Sequence, residues 1–571
     1  MRRAVLLALC FSLCACAPPA ESLAPTPTTP ASKVRTPTPT LSPAAVRVRS
    51  TSGPQPTQTH IPANGELRLA IRESIKTLNP YGVANTSEAF VVSLLYDTLL
   101  SYEWQSGLSP NIAQRWEVAP DNASLTFWLS PQARWHDGQP LTARDVVFSF
   151  NLASRNAFPG MTRLASLVDR VEAVSSEEVR FTLLKGAADA PRWLATQLYI
   201  VPEHLWGAVH DPPQFGNLDQ PVGSGPFALA EHVPGKRLVL SNTLVHPAGS
   251  FRIARVVLEL IPDEDKALQA LKDGKVDALG WDVSAQLAND VRTQTKGLVD
   301  LRWMETSGVQ TYALLLNLRV APYSNRDFRS ALAKALDMQA VVQSILLGFA
   351  DVATPGIFPA ASPWRNPGIA SLGADSKGAA QTLDDAGFVD ANADGLREKP
   401  DGSTLQIQVL CAKEATASSV AESLVVQWRA VGIGAKVRSV PQDALLPSLM
   451  QAQFDVALYS IGLEEPEMAF FYLHSSRGLV RDGRVVGLNF GGYVSARYDE
   501  LAAASLEEPD TDRRRKLLYD LQVELAADLP LIPLYVPREV SLYREDQFGG
   551  WRGQPGRGLL GRATLARLLP R

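Results

Sequence analysis

One run of the sequence carries side-chain oxygens at the spacing of a calcium-binding loop. The run DANADGLREKPD places Asp390, Asn392 and Asp394 at alternate positions, with Gly395 directly after them. This order matches the first half of an EF-hand loop, in which the glycine allows a sharp turn. The last position is an aspartate rather than the bidentate glutamate, and the proline before it prevents a following helix. The run therefore predicts either a calcium loop or a structural loop without a metal.

Residues that could act in nucleophilic catalysis, zinc binding, phosphate binding or glycoside hydrolysis do not occur in the arrangements that these functions need. Gly223-Ser224-Gly225 lacks the first glycine of a nucleophile elbow, and no histidine stands in a partner motif. The seven histidines are scattered without a zinc-ligand spacing, and there is no phosphate-binding P-loop. Acidic pairs such as Asp384-Asp385 lie in polar surroundings, which do not suit a glycosidase. The sequence predicts a protein that is not an enzyme and has no cofactor.

The amino terminus has the pattern of a lipoprotein signal peptide. Two arginines precede a short apolar run, and Leu13-Cys14-Ala15-Cys16 is similar to the bacterial lipobox. The resemblance implies removal of residues 1–15 and acylation of Cys16. The acyl chains would hold the protein on the outer face of a membrane. The alternative is an ordinary secretory signal that is cleaved nearby.

The segment after the signal is predicted to be a disordered tether. Residues 16–64 are rich in Pro, Thr, Ser and Ala and contain almost no aromatic side chains, so they cannot bury a core. After processing, Cys411 is the one remaining cysteine beyond the acylated Cys16. We expect no internal disulfide, and we expect Cys411 to be a small buried apolar residue.

Length and composition describe a soluble protein with more than one core. With 571 residues, the chain exceeds the size of one ordinary core, and two or three lobes are expected. An apolar content of 46% and a charged content of 20% are typical of globular proteins. The formal net charge of −4 gives no reason to expect nucleic acid. After residue 16 no apolar run approaches the ~20 residues that cross a bilayer.

The stretch from Asn111 to Ala153 predicts a strand–turn–strand–turn–helix unit of an α/β domain. Apolar and polar residues alternate in Arg115–Val118 and in Leu125–Leu129, which indicates two short strands. A turn at His136-Asp137-Gly138 follows, with Gly138 available for a positive φ. Thr142-Ala-Arg-Asp145 then has the pattern of a helix capping box.

The residue order in this unit resembles a known family. WHDGQPLTARDVVFS is similar to the pattern F-H-D-G-x-P-x-T-A-x-D-V-V-F-S of the family 5 extracytoplasmic solute-binding proteins, the peptide/nickel class. Further along, PVGSGPF resembles V-G-T-G-P-Y, and LPLIPLY resembles L-P-x-I-P-L. The resemblance covers residues from Leu67 to about Tyr543. It also extends to the acidic loop at Asp390, where the family often has a similar loop. The resemblance therefore favours a structural loop over a calcium-binding loop at this position.

The resemblance implies an α/β, two-lobed periplasmic-binding-protein fold with an enlarged first lobe. The ligand cleft is expected between lobes that two crossing strands join. Lobe I is predicted to comprise residues 65–305 and 534–571, with an inserted subdomain, and lobe II residues 306–533. The crossings are expected at Tyr312–Asn317 and Leu529–Tyr535. The segment Gly549–Arg571, which contains several Gly and Arg, is predicted to be a short finish or a frayed end.

The resemblance also implies contacts to ligand from the first lobe and the crossing strand. The positions just after the family's L-D-P motif correspond to Ala84, Asn85 and Thr86, although a plain loop is an equal alternative. Trp281 ends a predicted strand where a cleft residue is expected, and Tyr535 is expected to face the cleft.

In the family's peptide binders, a carboxylate after the F-D motif pairs with the free amino group of the peptide. Counting from Phe454 leads to Glu464, with Glu465 and Glu467 nearby. A buried cation needs such a partner because the desolvation of a lone charge is costly. Ile461 replaces the family's Trp, and the segment is about two residues shorter. A solvated acidic loop is the alternative interpretation.

The function that the resemblance implies is that of the extracytoplasmic solute-binding component of an ABC importer. A peptide or similar small solute would bind between the lobes and pass to the permease and ATPase subunits. We expect a monomer, lipid-anchored on the outer face of the cytoplasmic membrane, without nucleic acid. The alternatives are a surface lipoprotein receptor or sensor on the same scaffold, or a binder of a nickel chelate or an oligosaccharide.

Overall fold

The structure is a computed structural model of the chain. It describes residues 65–571 apart from 104–106, 120, 157, 159–160, 162–164, 185–189, 244–245, 248, 250, 295–300, 463–465 and 557. The signal peptide, the tether and Cys16 therefore lie outside the described residues.

The strands, in chain order, are numbered β1 to β22. They are β1 (Glu66–Ile71), β2 (Leu100–Glu103), β3 (Gly107–Pro110), β4 (Ala113–Val118), β5 (Ser124–Leu129), β6 (Val168–Ala173), β7 (Glu178–Leu183), β8 (Phe227–Val233), β9 (Arg237–Asn242), β10 (Arg255–Leu260), β11 (Ala278–Leu279), β12 (Leu301–Ser307), β13 (Gln310–Leu316), β14 (Ala350–Val352), β15 (Gln406–Ala412), β16 (Gly434–Val440), β17 (Val456–Gly462), β18 (Val480–Arg481), β19 (Arg484–Val485), β20 (Leu531–Arg544), β21 (Phe548–Gly549) and β22 (Leu569–Pro570).

The α-helices are numbered in the same way. They are α1 (Thr86–Leu95), α2 (Ala143–Arg155), α3 (Ala190–Gln197), α4 (Glu203–Trp206), α5 (Glu264–Lys272), α6 (Ala285–Gln294), α7 (Arg326–Lys334), α8 (Met338–Ser344), α9 (Ser376–Asp385), α10 (Ala415–Arg429), α11 (Gln442–Met450), α12 (Pro466–Leu473), α13 (Ala496–Glu507), α14 (Thr511–Asp528) and α15 (Arg562–Leu565). None of the helices in the described part of the chain has the length and apolarity that a bilayer crossing requires.

A twelve-stranded mixed sheet connects the two halves of the molecule. Its order is β16-β15-β17-β13-β20-β11-β1-β10-β9-β8, and β12 and β14 also pair with β20. A separate four-stranded sheet, β4-β5-β7-β6, belongs to the first half. Parallel pairs such as β1 with β10 and β15 with β16 are flanked by helices, as is typical of α/β folds.

Two neighbouring strands cross from one half to the other, in agreement with the expected crossings. The carboxy-terminal half of β20 pairs with β12, and its amino-terminal half pairs with β13. Gly308 lies between β12 and β13, and its N–H donates to the Pro537 carbonyl (3.1 Å). A Cβ at Gly308 would lie 2.1 Å from that oxygen, so only glycine permits the strands to approach here.

The hydrophobic residues form separate cores on the two sides of the crossing. One core includes Leu94, Phe127 and Phe181. A smaller cluster at β1, β11 and α5 adjoins it, and we call the part of the chain around these two clusters the first lobe. The other side contains Trp428 and Tyr498 in two further clusters, which define the second lobe. The two-lobed α/β fold is thus confirmed, whereas the residue limits 65–305, 306–533 and 534–571 stay a prediction.

The strand–turn–strand–turn–helix unit forms close to its predicted positions. β4 and β5 pair antiparallel, Gly138 has φ +88°, and α2 begins after Thr142. The Asp145 carboxylate accepts from the Thr142 backbone N–H (2.8 Å), as the capping box predicts. The Thr142 hydroxyl also donates to this carboxylate (3.0 Å). Val146 and Phe150 are buried, so the apolar stripe of α2 faces the core.

The PVGSGPF motif packs directly beneath α1. A Cβ at Gly223 would lie 1.8 Å from the Leu95 carbonyl oxygen, and a Cβ at Gly225 would lie 2.2 Å from the Leu94 carbonyl oxygen. The motif therefore needs glycines because its backbone touches the end of a helix, and not because Ser224 is a nucleophile. The Ser224 hydroxyl donates to a buried carboxylate, that of Asp97 (2.8 Å).

Cys411 is free and fully buried in β15, as predicted. Helix α1 ends at Leu95, because the chain becomes extended at Tyr96, and strand β2 begins at Leu100.

Candidate ligand site

One candidate site is a cavity of about 790 Å³ in the first lobe. Its walls come from α1, β2, β3, α3, β12 and the chain after β21. The lining residues are Ser93, Tyr96, Thr98, Leu100, Ser101, Tyr102, Ser109, Pro110, Asn111, Arg192, Thr196, Gln197, Tyr199, Phe251, Met304, Glu305, Thr306, Val309, Trp551, Arg552, Gly553, Gln554, Pro555, Arg562, Ala563, Thr564, Ala566 and Arg567. Aromatic rings and scattered polar groups are the usual lining of a small-molecule site.

A buried network of polar side chains supports one wall of this cavity. Asp97 is fully buried, and its carboxylate accepts from Arg562 (Nη1–Oδ1 2.5 Å) and contacts His246 Nε2 (3.0 Å). Asn111 also donates to Asp97 (3.2 Å), and its own side-chain oxygen accepts from Arg562 (3.2 Å). Each polar group therefore has a partner, which is the condition for burying charge at acceptable cost.

The charge state of Asp97 follows from its neighbours. Burial by itself raises the pKa of the carboxyl group, because the charged form loses water. The opposite charges and hydrogen bonds of His246 and Arg562 outweigh burial and hold the pKa of Asp97 well below its usual range. The carboxylate is thus ionised at neutral pH and fixes the Arg562 guanidinium at the cavity wall.

A second buried carboxylate joins the two lobes. Glu467, in α12 of the second lobe, is fully buried, and its Oε1 accepts from Arg192 Nη2 (2.9 Å) and from the Trp193 indole N–H (2.5 Å). Both donors lie in α3 of the first lobe, where Leu194 and Ala195 pack into the first core. Ala469, two residues after Glu467 in the same helix, packs into a second-lobe core. We call Arg192, Trp193 and Glu467 the interlobe clasp.

The residues predicted from the L-D-P match lie at the start of α1. Asn85 is the N-cap of this helix, and its side-chain oxygen accepts from the Glu88 N–H (2.9 Å). The Ala84 N–H donates to the Glu88 carboxylate (2.8 Å), and Thr86 is exposed. These contacts give Ala84 and Asn85 a role in the local structure, and none of the three positions lines the large cavity.

The other described candidates are also apart from the large cavity. Trp281 is half-buried, with the Arg72 guanidinium 4.4 Å from its ring centre. Ile461 is buried in a second-lobe core. Tyr535 is buried and stacks on Tyr312 with 4.8 Å between ring centres, and burial raises the pKa of its hydroxyl. The structure does not bring these side chains together, and their ligand roles stay predictions.

The predicted amine anchor, Glu464, and its neighbour Glu465 lie outside the described residues. The described carboxylate nearest to them in the chain is Glu467, which binds the first lobe instead of facing solvent. Sequence reasoning did not identify Arg192, Arg562 or Asp97. No short motif marks these residues, because each forms its ion pair with a residue more than 250 positions away in the sequence.

The acidic loop at Asp390 is closed by hydrogen bonds within itself. The Asp390 carboxylate accepts from the backbone N–H groups of Asp394 (3.1 Å) and Gly395 (2.9 Å). The Asn392 amide donates to Glu398 (2.9 Å), and Asp394 accepts from the Leu396 N–H (2.8 Å). Within the described ranges, no three or more His, Cys, Asp or Glu side chains converge in a way that suits a metal ion. This geometry is that of a structural loop, and calcium binding stays an untested alternative.

Comparison with known proteins identifies the family. The profile of the bacterial extracellular solute-binding proteins, family 5 Middle, matches residues 107–478. The chain is 24% identical over 483 residues to the oligopeptide-binding protein AppA of Bacillus subtilis, covering 82% of this chain and 85% of AppA. It is 28% identical over 316 residues to the probable peptide-binding protein YejA of Agrobacterium fabrum, of which it spans only about half (51% of this chain, 50% of YejA).

A solved structure shows the same fold. NikZ from Campylobacter jejuni, in complex with Ni(L-His), superposes with a TM-score of 0.70 over 88% of this chain and 99% of NikZ, at 22% identity. Because the family profile covers well over half of the sequence, the chain belongs to the bacterial extracellular solute-binding proteins of family 5.

Proposed function

We propose that this protein is the extracytoplasmic solute-binding component of an ABC importer and that it binds a peptide or a similar small solute. The observation that carries the proposal is the cavity of about 790 Å³, which is within the usual size range of ligand pockets. It adjoins the crossing strand β12 and the interlobe clasp. The names of AppA and YejA as peptide-binding proteins support the choice of a peptide.

The mechanism that fits this architecture is closure of two lobes around a solute. In the described part of the chain, the strands β12–β13 and β20 run from one lobe to the other, so we propose them as the hinge. A solute that contacts both sides stabilises the closed form by its differential affinity for that form. We propose that the solute leaves chemically unchanged to the permease and ATPase subunits of the importer.

Native mass spectrometry of the purified protein tests this proposal. We expect a monomer that carries a small co-purified solute. Adding that solute at 100 times its Kd should stabilise the native state by about 2.7 kcal/mol, seen as a rise in Tm. A protein that shows neither a bound solute nor any stabilisation by a library of short peptides would contradict peptide binding.

The lipid anchor at Cys16 is part of the proposal. Expressed with its full amino terminus, the wild-type protein should fractionate with membranes, because several buried acyl chains give firm attachment. Cys16→Ala removes the acylated thiol and should move the protein to the soluble fraction of the cell envelope, as measured by immunoblotting. Cys14→Ala serves as the control and should leave fractionation unchanged. Membrane attachment of Cys16→Ala would contradict acylation at this residue.

A further inference from the structure

We propose that the His136 side chain is a positioning residue for the wall of the cavity and makes this wall sensitive to mild acid. His136 stands in the turn that precedes α2, and it does not line the cavity itself. The inference rests on the proposed function only in treating the cavity as the solute site.

Both ring nitrogens of His136 contact the backbone of the PVGSGPF motif. Nδ1 accepts from the Gly223 N–H (3.2 Å), and Nε2 lies 3.0 Å from the Gly225 carbonyl oxygen. The N–H can only donate and the carbonyl can only accept, so the ring is neutral and carries its proton on Nε2. The His136 backbone N–H also donates to the Gly223 carbonyl (2.8 Å). The turn and the motif are thus joined through both the side chain and the backbone.

The motif connects His136 to the wall of the cavity. Ser224, between the two glycines, is buried, and its hydroxyl donates to the Asp97 carboxylate (2.8 Å). Asp97 binds the guanidinium of Arg562, which lines the cavity. The Gly225 N–H donates to the Leu95 carbonyl (2.9 Å) at the end of α1, a helix that also contributes to the wall. A shift of the motif would therefore disturb both α1 and the buried carboxylate.

A second proton on the His136 ring is incompatible with these contacts. The added Nδ1–H would point at the Gly223 N–H, and two donors cannot form a hydrogen bond with each other. Either the motif moves away, or the Gly223 N–H stays buried without an acceptor, which is costly. Protonation should therefore loosen the motif and, through Ser224, the wall of the cavity.

The folded protein favours the neutral ring. Burial lowers the pKa of the His136 imidazole, because the charged form loses water. The hydrogen bond to Gly225 acts in the opposite direction, as do the carboxylates of Asp97 and Asp137, whereas a charge on His246 would act in the same direction as burial. The folded pKa lies below the unfolded value of about 6.5. The contacts are therefore fully present above about pH 6.5 and are lost as the pH falls toward the folded value.

Hydrogen exchange of the purified protein, followed by mass spectrometry between about pH 7.5 and about pH 5.5, tests the inference without any solute. Protection from exchange is corrected for the intrinsic rate at each pH. The protection of residues 222–225 and of residues 93–96 should fall together, by up to about tenfold per pH unit below pH 6.5. Peptides from α10 in the second lobe should keep their protection and serve as the internal reference.

Two variants separate His136 from the other histidines. His136→Gln can offer an amide oxygen to the Gly223 N–H and an amide N–H to the Gly225 carbonyl, and it does not titrate. Its protection should not depend on pH in this range. His204→Gln is the matched control, because His204 contacts Asp137 on the exposed side of the same turn (2.8 Å). It should keep the pH dependence of the wild type.

Protection of residues 222–225 that does not depend on pH in the wild type would overturn the inference. The same pH dependence in His136→Gln as in the wild type would also overturn it, because another group, such as His246, would then be the one that titrates. A pH-dependent motif with unchanged protection of residues 93–96 would overturn the role in the cavity wall. Failure of the protein to bind any solute would contradict the proposed function and leave the exchange result unaffected.

Discussion

Replacing Glu467 with glutamine is expected to shift the ligand-free protein toward an open arrangement of its lobes. The substitution keeps an acceptor oxygen for the Trp193 indole but removes the negative charge that faces Arg192 in the closed form. Glu467 is fully buried, and the Arg192 side chain is 15% exposed, so the loss of this ion pair is costly. In the open form water solvates Arg192. The closed form should therefore lose about 2–5 kcal/mol relative to the open form.

Small-angle X-ray scattering of the ligand-free protein measures this shift directly. The radius of gyration of Glu467→Gln should exceed that of the wild type. An exposed ion pair on α13, Arg497 with Glu500, provides the matched control, because both side chains are more than half exposed. Glu500→Gln should leave the scattering unchanged, since exposed pairs contribute little. Identical scattering of Glu467→Gln and the wild type would show that the clasp does not hold the lobes together.

The largest loss of stability is expected for Asp97→Asn. The asparagine has the size of the aspartate but not its charge, so Arg562 and His246 lose the anion that they surround. Breaking a buried charge pair in this way costs about 3–5 kcal/mol. The free energy of unfolding, from urea titration of the first-lobe signal, should fall by this amount. Asp219→Asn, at an exposed loop position, should change it by no more than about 0.5 kcal/mol.

The pH dependence of the same network has a defined direction. The folded-state pKa of Asp97 is lower than its unfolded value, so the carboxylate stabilises the fold above the unfolded pKa of about 3.9. This stabilisation is lost as the pH falls toward the lower folded value. Between about pH 4 and pH 2 the wild type should therefore lose stability more steeply than Asp97→Asn. Parallel acid-unfolding curves for the two proteins would contradict the assigned role.

Features governed by neighbouring residues could be predicted from the sequence. The capping contact between Thr142 and Asp145, the positive φ of Gly138 and the burial of Cys411 each depend on local pattern or apolarity. The resemblance to family 5 also gave the two crossing strands within a few residues. Capping hydrogen bonds join residues three or four positions apart, and alternating polarity is visible within a few residues. These expectations hold because they depend only on residues that are close together in the sequence.

The candidate site was decided by tertiary structure. Arg192 and Glu467 are 275 residues apart, and Asp97 and Arg562 are 465 residues apart. Nothing in the local sequence distinguishes these charges from the many solvated ones. Their pairing depends on the order of strands in the sheet and on the contact of one lobe with the other, which bring distant segments to one surface. The amino-acid sequence determines which charged residues and turns are present. The packing of the lobes determines which charged side chains are buried away from water and therefore need an oppositely charged partner.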